Sequence, residues 1–576
     1  MAQSCNSPGG RVVSPRAIFN VVCMVTLVAA LHHLFAHLAY DDSYLYWFLA
    51  LFAWRYVRFA VNLVGFWCYS PSPKASDPTY SSSRDVTAVI PTVDPERGTF
   101  RDTVLSCAEN SPAKIVIITA GNELYEKTLP YIAEFERFYP SIEFVLDRTQ
   151  VASKRAQVAL AVPHIKTAIA VLLDDHVFWG PNFLESLLSA FKDPKVGLVG
   201  TNKRVRREKG LNLWRRFWNM LGATYLCRHN FEIRATNAVD GGVFVISGRT
   251  CALRTEILNH PDFLPGYTDE KFLFGMLGPL NPDDDNYNTR FVVSHGWKIK
   301  IQYTEDAVME TTLGVEKPVA TKFLAQCRRW ARTTWRSNIC SLVTDRTVWT
   351  SQPYCVYAVY LTSLTNFAAI TDPLLVYLFT HSSLFTHASA RTSKLALAGL
   401  VGWILFTKTI KVFDYFRRHP QDIYLFPAYV AFAYFHSLIK LWALLTFWDC
   451  TWSGRRLDQI KVDEPERSRV HPRSDSDIAH VIELRSINTR VADLHTSHAE
   501  HIARYQEPLL AEVNRLKENL VTLEGGHKTM SDNSLAIGTG LDEILERAKE
   551  ATDAQDAAKI IDERDISDKI AVLKSA

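Results

Sequence analysis

The stretch at residues 168–180, AIAVLLDDHVFWG, decides how the rest of the chain reads. A short run of Val, Ile and Leu stops at Asp174-Asp175-His176. A buried parallel strand has this composition, and it ends this way where its C-terminal end opens into a polar site. In open α/β sheets, ligands bind outside those carboxyl ends. Asp174 and His176 stand two residues apart, so on extended backbone their side chains share a face. A carboxylate and an imidazole on one face form a ligand pair for Mn2+ or a similar ion. An Asp-rich turn after a strand has the same spelling, so the weight falls on what surrounds the triplet.

The chain has 576 residues, enough for several domains. Its net charge of +3 is too small to suggest a nucleic-acid partner. The basic residues cluster near apolar segments, a pattern that marks membrane sidedness. The ten Cys contain no CxxC pair, which argues against a zinc site or a disulfide framework.

Residues 17–40 are apolar and long enough to cross a bilayer, which takes about 20 residues. No small-residue cleavage site follows, so the segment reads as an anchor. A second apolar stretch, 44–69, carries Arg55 and Arg58, and the two suggest a helical hairpin. A Ser/Pro linker covers 71–84. Strands are then expected at 86–90, 115–119, 142–146 and 168–173, with a helix over 123–137. That alternation implies a parallel sheet with covered faces. Residues 196–199 continue it, 214–227 read as an amphipathic helix, and 272–277 as part of a helix before an acidic loop. Further apolar stretches follow at 354–380, 395–412 and 423–447. The expected organisation is a transmembrane hairpin and linker (1–80), an α/β domain (85–330), an interface helix region (331–352), C-terminal transmembrane helices (353–450) and a polar helical tail (455–576). Apolar residues in the tail, such as Leu509, Val513, Leu516, Leu520 and Leu523, recur at three-and-four spacing and suit a coiled coil and self-association. Two spans before the domain and three after would leave the tail outside the cytosol. A split at Thr371-Asp372-Pro373 would make the count even and keep the tail, which opens on Arg455-Arg456, inside, but it turns the basic loop 408–418 to the wrong side.

Four polar clusters lie in or beside the α/β domain. Pro91-Thr92-Val93-Asp94 ends the first strand, where a ligand ring can pack and donate to Asp94. Ser153-Lys154-Arg155 opens a helix, and its N–H groups and cations attract phosphate. Pro282-Asp283-Asp284-Asp285-Asn286 places three carboxylates side by side, so one should resist ionising and suit a general base. Gln326-Cys327-Arg328-Arg329-Trp330 begins a basic, aromatic, amphipathic stretch suited to a membrane surface.

Taken in order, these motifs resemble those of the processive family 2 glycosyltransferases, which include hyaluronan, chitin and cellulose synthases. The pattern is most similar to hyaluronan-synthase-like enzymes. It also looks like that of fungal polysaccharide synthases related to a capsule synthase. Asp284-Asp285 followed by Ser294-His295-Gly296-Trp297-Lys298 is similar to their GDD…SLGYK segment, and counting back from Gly296 puts Asp285 on the catalytic base. Residues 326–338, QCRRWARTTWRSN, resemble QQLRWSKSYFRE, and Ser247-Gly248 with Arg254 resembles the SGP…YR acceptor loop.

The resemblance implies an α/β GT-A (Rossmann-like) domain inserted between transmembrane helices. It implies a UDP-sugar donor (UDP-GlcNAc, UDP-Glc or UDP-GlcA), a glycan acceptor, and a divalent metal, Mn2+ or Mg2+. By the same carry-over, Pro91, Thr92 and Asp94 hold the nucleoside, and Lys154 and Arg155 the diphosphate. Asp174 and Asp175 face the donor, and Asp174 and His176 the metal. Asp285, beside Asp284, is the base. Ser247, Gly248, Arg254, Gln326, Arg329 and Trp330 line the acceptor and diphosphate sites. The family's Asp after the second strand is missing, since this chain has Thr119-Ala120-Gly121-Asn122 there. Thr304-Glu305-Asp306 spells the cellulose-synthase TED in the wrong place for the base. The implied protein sits in the plasma membrane with its catalytic domain cytosolic, and polymerises sugar into a polysaccharide. One alternative is a non-processive enzyme that adds one sugar to a lipid; another is a catalytically silent membrane scaffold.

Overall fold

The computed structural model describes residues 15–450 apart from residues 75 and 209. The expected coiled coil of the tail lies outside the described residues.

Nine strands form one mixed sheet among these residues: β1 (Val86–Pro91), β2 (Lys114–Ala120), β3 (Glu143–Thr149), β4 (Ile169–Leu173), β5 (Val177–Trp179), β6 (Val196–Val205), β7 (Thr250–Arg254), β8 (Lys298–Gln302) and β9 (Val308–Thr311). The order is β3-β2-β1-β4-β7-β6-β9-β5, with β8 also paired to β6. The first four strands run parallel, as the βαβα pattern implied. The all-parallel expectation fails beyond β4. Strand β7 pairs antiparallel with both β4 and β6, and β5 antiparallel with β9. The short strands β5 and β9 carry no long apolar run, so periodicity did not reveal them. Residues 272–277 are not helical. Leu273 and Phe274 have positive φ, and Phe272 and Leu277 close a small antiparallel bridge.

Strand alternation splits the core between two faces. Val89, Val116, Ala170 and Leu172 pack on one side with Val158, Ile233 and Val292 from three helices. Ala88, Ile90, Ile117, Val171 and Leu173 pack on the other with Phe100, Val104 and Phe183. Both faces of β1 and β4 are therefore dry, and polar groups gather only at the strand ends.

Among the described residues, three helices are long and apolar enough to cross a membrane: Ser43–Cys68, Ala390–Ile410 and Pro420–Leu444. The first apolar stretch forms the helix Pro15–Leu38. The stretch at 354–380 is a pair, Pro353–Thr365 and Ala368–His381, bent by 92°. The break falls at Asn366-Phe367 and not at Thr371-Asp372-Pro373, because Pro373 is carried inside the second helix. Cations satisfy the interrupted backbone. Lys440 donates to the carbonyls of Ser363 and Asn366, and Arg58 to that of Ala358. Asp372 binds both Arg55 and Lys408, so the charges inside these apolar segments are paired or bonded to backbone.

The helix Ser43–Cys68 meets the long helix Leu213–Asp240 at Gly65. A Cβ there would lie 2.7 Å from Val239 and 2.9 Å from the Ala235 carbonyl oxygen. Replacing Gly65 by Val should push the two helices apart and destabilise the fold by about 1–3 kcal/mol. A thermal melt in detergent checks this, with a lowered midpoint as the expected outcome.

Candidate active site

The site is assembled at the carboxyl end of β4. Backbone N–H of Asp174 donates to the Arg249 carbonyl at 2.9 Å, which docks residues 247–249 on the strand end. Ser153 caps the helix Lys154–Ala161 and fixes where Lys154 emerges. The Lys154 ammonium lies 2.8 Å from Asp174, 3.0 Å from Asp284 and 3.0 Å from the Gly248 carbonyl. Gly248 N–H in turn donates to Asp285 at 3.1 Å. A side chain at Gly248 would be tight, its Cβ 3.2 Å from that of Asp285 and 3.3 Å from the Lys154 nitrogen.

The acidic triplet is a helix start and not a loop. Asp283 occupies the N-cap with φ +66, and Asp284 and Asp285 form the first turn of the helix Asp284–Ser294. Each carboxylate is turned a different way. Asp283 accepts from Thr333 at 2.5 Å and from Nε of Arg336 at 2.8 Å, and a second Arg336 nitrogen pairs with it in charge at 2.8 Å. Asp284 faces Lys154, and Asp285 accepts from Gly248 and from the N–H of Asn286.

Electrostatics separates these groups. Burial alone would lower the Lys154 pKa, but Asp174 and Asp284 override it and hold the ammonium well above the usual lysine range. Burial would raise Asp174, and Lys154 reverses that, so Asp174 stays ionised. Asp285 goes the other way. Burial, then repulsion from Asp284, lift it to about 6 against the opposing pull of Lys154. A carboxylate tuned this way is ionised at neutral pH yet basic enough to take a proton.

One cavity of about 380 Å³ collects Lys154, Asp174, His176, Ser247, Gly248, Asp284, Asp285, Gln326, Arg329 and Trp330. The remaining sequence-predicted residues do not line it. Asp175 is buried beneath, accepting from Thr92 at 2.8 Å and meeting Nδ1 of His176 at 3.1 Å. Thr92 is thus tied to the strand end, Pro91 is buried as the last residue of β1, and Asp94 is exposed. Two cations are corrections to the sequence reading. Arg155 follows Lys154 on the helix, about 100° around the axis. Its guanidinium is buried against Glu270, the Tyr267 carbonyl and the Pro282 carbonyl, so it shapes the acidic turn from behind and does not reach the cavity. Arg254 donates to the carbonyls of Val196, Phe191 and Asp193 and to the Tyr80 hydroxyl, and it is equally structural. Thr304-Glu305-Asp306 also lies off the cavity, with Glu305 on Arg204 and Asp306 on Lys74.

Sequence reasoning missed Lys203, Arg228, His229 and Arg249, which line the same cavity. Arg249 adjoins the Ser247-Gly248 motif and was within reach of that signal. Lys203 and Arg228 sit in ordinary basic surroundings and gave none.

The residues present fit a divalent cation. Asp174 is an ionised carboxylate, and the buried Asp175 holds Nδ1 of His176, which leaves Nε2 as that ring's ligand atom. A separate trio, His260, Asp262 and His295, brings three ligand atoms within 4.8 Å of one another; none of the three lines the cavity.

Residues 83–333 match the family model "Glycosyltransferase like family 2". A "Type 2 glycosyltransferase" from Gibberella zeae is 41% identical over 421 residues, covering 73% of this chain and 77% of that protein. The hyaluronan synthase of Streptococcus pyogenes is 22% identical over 381 residues, 64% of this chain and 83% of that one. A solved mannosyltransferase from Pyrobaculum calidifontis, in complex with GDP-Man and Mn2+, aligns at TM-score 0.42 and 16% identity over 69% of this chain and 97% of that one. The chain belongs to the family 2 glycosyltransferases, and it is an enzyme of that class with a GT-A-like mixed sheet.

Because Asp285 is raised, its protonated form takes over as pH falls through about 6. Transfer that needs the carboxylate should therefore be lost below that pH and be flat above it. A profile of kcat from pH 5 to 8 checks the position of the acid limb.

Proposed function

We propose that this glycosyltransferase is membrane-embedded, inverting and processive, and that it polymerises sugar from a UDP-sugar into a polysaccharide that leaves through its own apolar helices. The single observation that carries this reading is the continuity of the cavity. The pocket that holds Asp174 and Asp285 is lined further on by Phe59, Thr362, Ser363 and Lys440 from the apolar helices. The helix Val319–Ile339 fastens the two parts together. Its Arg336 grips Asp283 and also donates to the Phe447 and Asp449 carbonyls, while its Trp335 donates to the Lys440 carbonyl at 3.1 Å. The similarity to a hyaluronan synthase over most of that enzyme supports a polymer as the product.

In the proposed reaction Asp285 accepts the proton of an acceptor hydroxyl. The oxygen attacks the anomeric carbon from the face opposite the nucleotide. The new glycosidic bond forms as the carbon–diphosphate bond breaks, which inverts the centre. Lys154 and Arg329 stabilise the charge developing on the leaving diphosphate. Pro91, Thr92 and Asp94, at the end of β1, lie where a nucleoside base would be held. Asp174 and His176 would hold a divalent cation, Mn2+ or Mg2+, which supplies Lewis-acid neutralisation of the diphosphate when bound. Trp330 offers a face for the acceptor sugar, with Gln326 beside it. The domain faces the cytosol, where nucleotide sugars are made, and the apolar helices lie in the plasma membrane.

Purified protein in membranes, given each radiolabelled UDP-sugar in turn, should extend one of them into a product of many sizes. A product with a single added sugar on lipid would overturn processivity. Asp285→Asn should keep nucleotide binding and lose roughly 10²–10⁴-fold in transfer. Wild-type turnover in that variant would remove Asp285 from the role. Chelation should abolish transfer and a divalent ion restore it, with insensitivity as the contrary result.

A further inference from the structure

The wall of the cavity around Trp330 is cationic in a way the donor alone does not account for. Ten Lys and Arg side chains line the cavity against five Asp and Glu. One of those five, Asp283, is already committed to Arg336. A nucleoside diphosphate brings about two negative charges and its divalent ion returns two, so the donor leaves this imbalance unchanged.

Most of the cations in the apolar half have partners in the Arg58, Lys440, Asp372 and Glu232 contacts. Arg249, Arg228 and Lys203, near Trp330, are bound mainly by rings, although Glu232 supports the charge of Arg228. Arg249 lies over the Trp330 ring at 5.4 Å, Trp330 meets Tyr225 at 4.9 Å, and Arg228 lies over Tyr225 at 5.0 Å. Two guanidiniums thus bracket a pair of aromatic rings, and neither makes an ion pair with a carboxylate among the described residues. Lys203 is 2% exposed, and its partner is an imidazole nitrogen, Nδ1 of His229, at 2.6 Å. A cation buried without an anion is costly. Burial, then the nearby Arg249, hold Lys203 well below the usual lysine range, with Asp285 only partly offsetting them. The arrangement combines a stacking face for a sugar ring with two forked donors and, at its edge, a buried lysine amine that an incoming anion would favour in its charged form. Guanidinium forks match planar or tetrahedral oxyanions.

We propose that the acceptor seated at Trp330 carries an anionic oxygen group, a carboxylate or a phosphate, and that Arg228, Arg249 and Lys203 bind it. This rests on the acceptor site proposed above and names its substrate class. The chemistry has two sources, a uronic acid within the growing glycan or the phosphate of a lipid-linked acceptor.

The test is a binding measurement that needs no turnover. The full-length protein in nanodiscs is titrated with three probes: a glucuronate oligosaccharide, a neutral gluco-oligosaccharide of equal length, and a polyprenyl phosphate. One acidic probe should bind roughly tenfold or more tightly than the neutral one, and that preference should vanish in Arg228→Met and in Lys203→Met. UDP binding and the melting midpoint are followed in parallel, so that a misfolded variant is recognised and the second variant decides. Preference for the glucuronate assigns the glycan source; preference for the polyprenyl phosphate assigns the lipid source. Equal affinity for neutral and acidic probes, or a preference that survives in well-folded variants, overturns the proposal. Failure of the polymerase reading would show instead as absent transfer with acidic binding intact.

Discussion

The Lys154 ammonium, held between Asp174 and Asp284, is the contact on which the site depends. Three segments distant in sequence arrive there: the end of β4, the start of the acidic helix and the Gly248 loop. Without a cation at their centre, the carboxylates of Asp174 and Asp284 would repel across a partly buried space. With it, Asp174 stays charged while Asp285, one residue further along the helix, is left as the weak acid of the set. A single ammonium therefore keeps Asp174 charged while Asp285, close by, stays the easier of the two to protonate.

A second constraint ties this cluster to the apolar helices. Asp283 sits at positive φ, and its carboxylate is clasped by Arg336 and Thr333 of the helix Val319–Ile339. Arg336 is 1% exposed and also reaches the chain just after the last apolar helix. The helix that presents Asp285 and the helix that presents Trp330 are thereby held by one buried ion pair. Breaking such a pair leaves an uncompensated charge, so both presentations stand or fall together.

Much of this was legible in the sequence, and the failures have definite causes. The end of β4 announced itself because a dry parallel strand must stop where polar groups begin. The parallel half of the sheet followed from alternation, but the turn to antiparallel pairing at β7 did not, since β5, β7 and β9 lack the unbroken aliphatic run of β4 and composition does not fix strand direction. The acidic triplet looked like a loop because Pro282 precedes it. The left-handed Asp283 N-cap, invisible in composition, makes it a helix start. Arg155 and Arg254 were misplaced because residue type says nothing of direction. One step along a helix separates the cavity-facing Lys154 from a buried Arg155 that braces Glu270. The same limit hid Lys203 and Arg228, whose significance arises only from the aromatic pair folded beside them.

A double-mutant cycle on kcat/KM with Lys154→Met and Asp174→Asn tests the central contact most directly. If one ammonium organises the carboxylates, the two changes are strongly non-additive, with a coupling energy of about 1.5 kcal/mol or more. Additivity within about 0.5 kcal/mol would mean that Lys154 and Asp174 act independently, and would contradict the account.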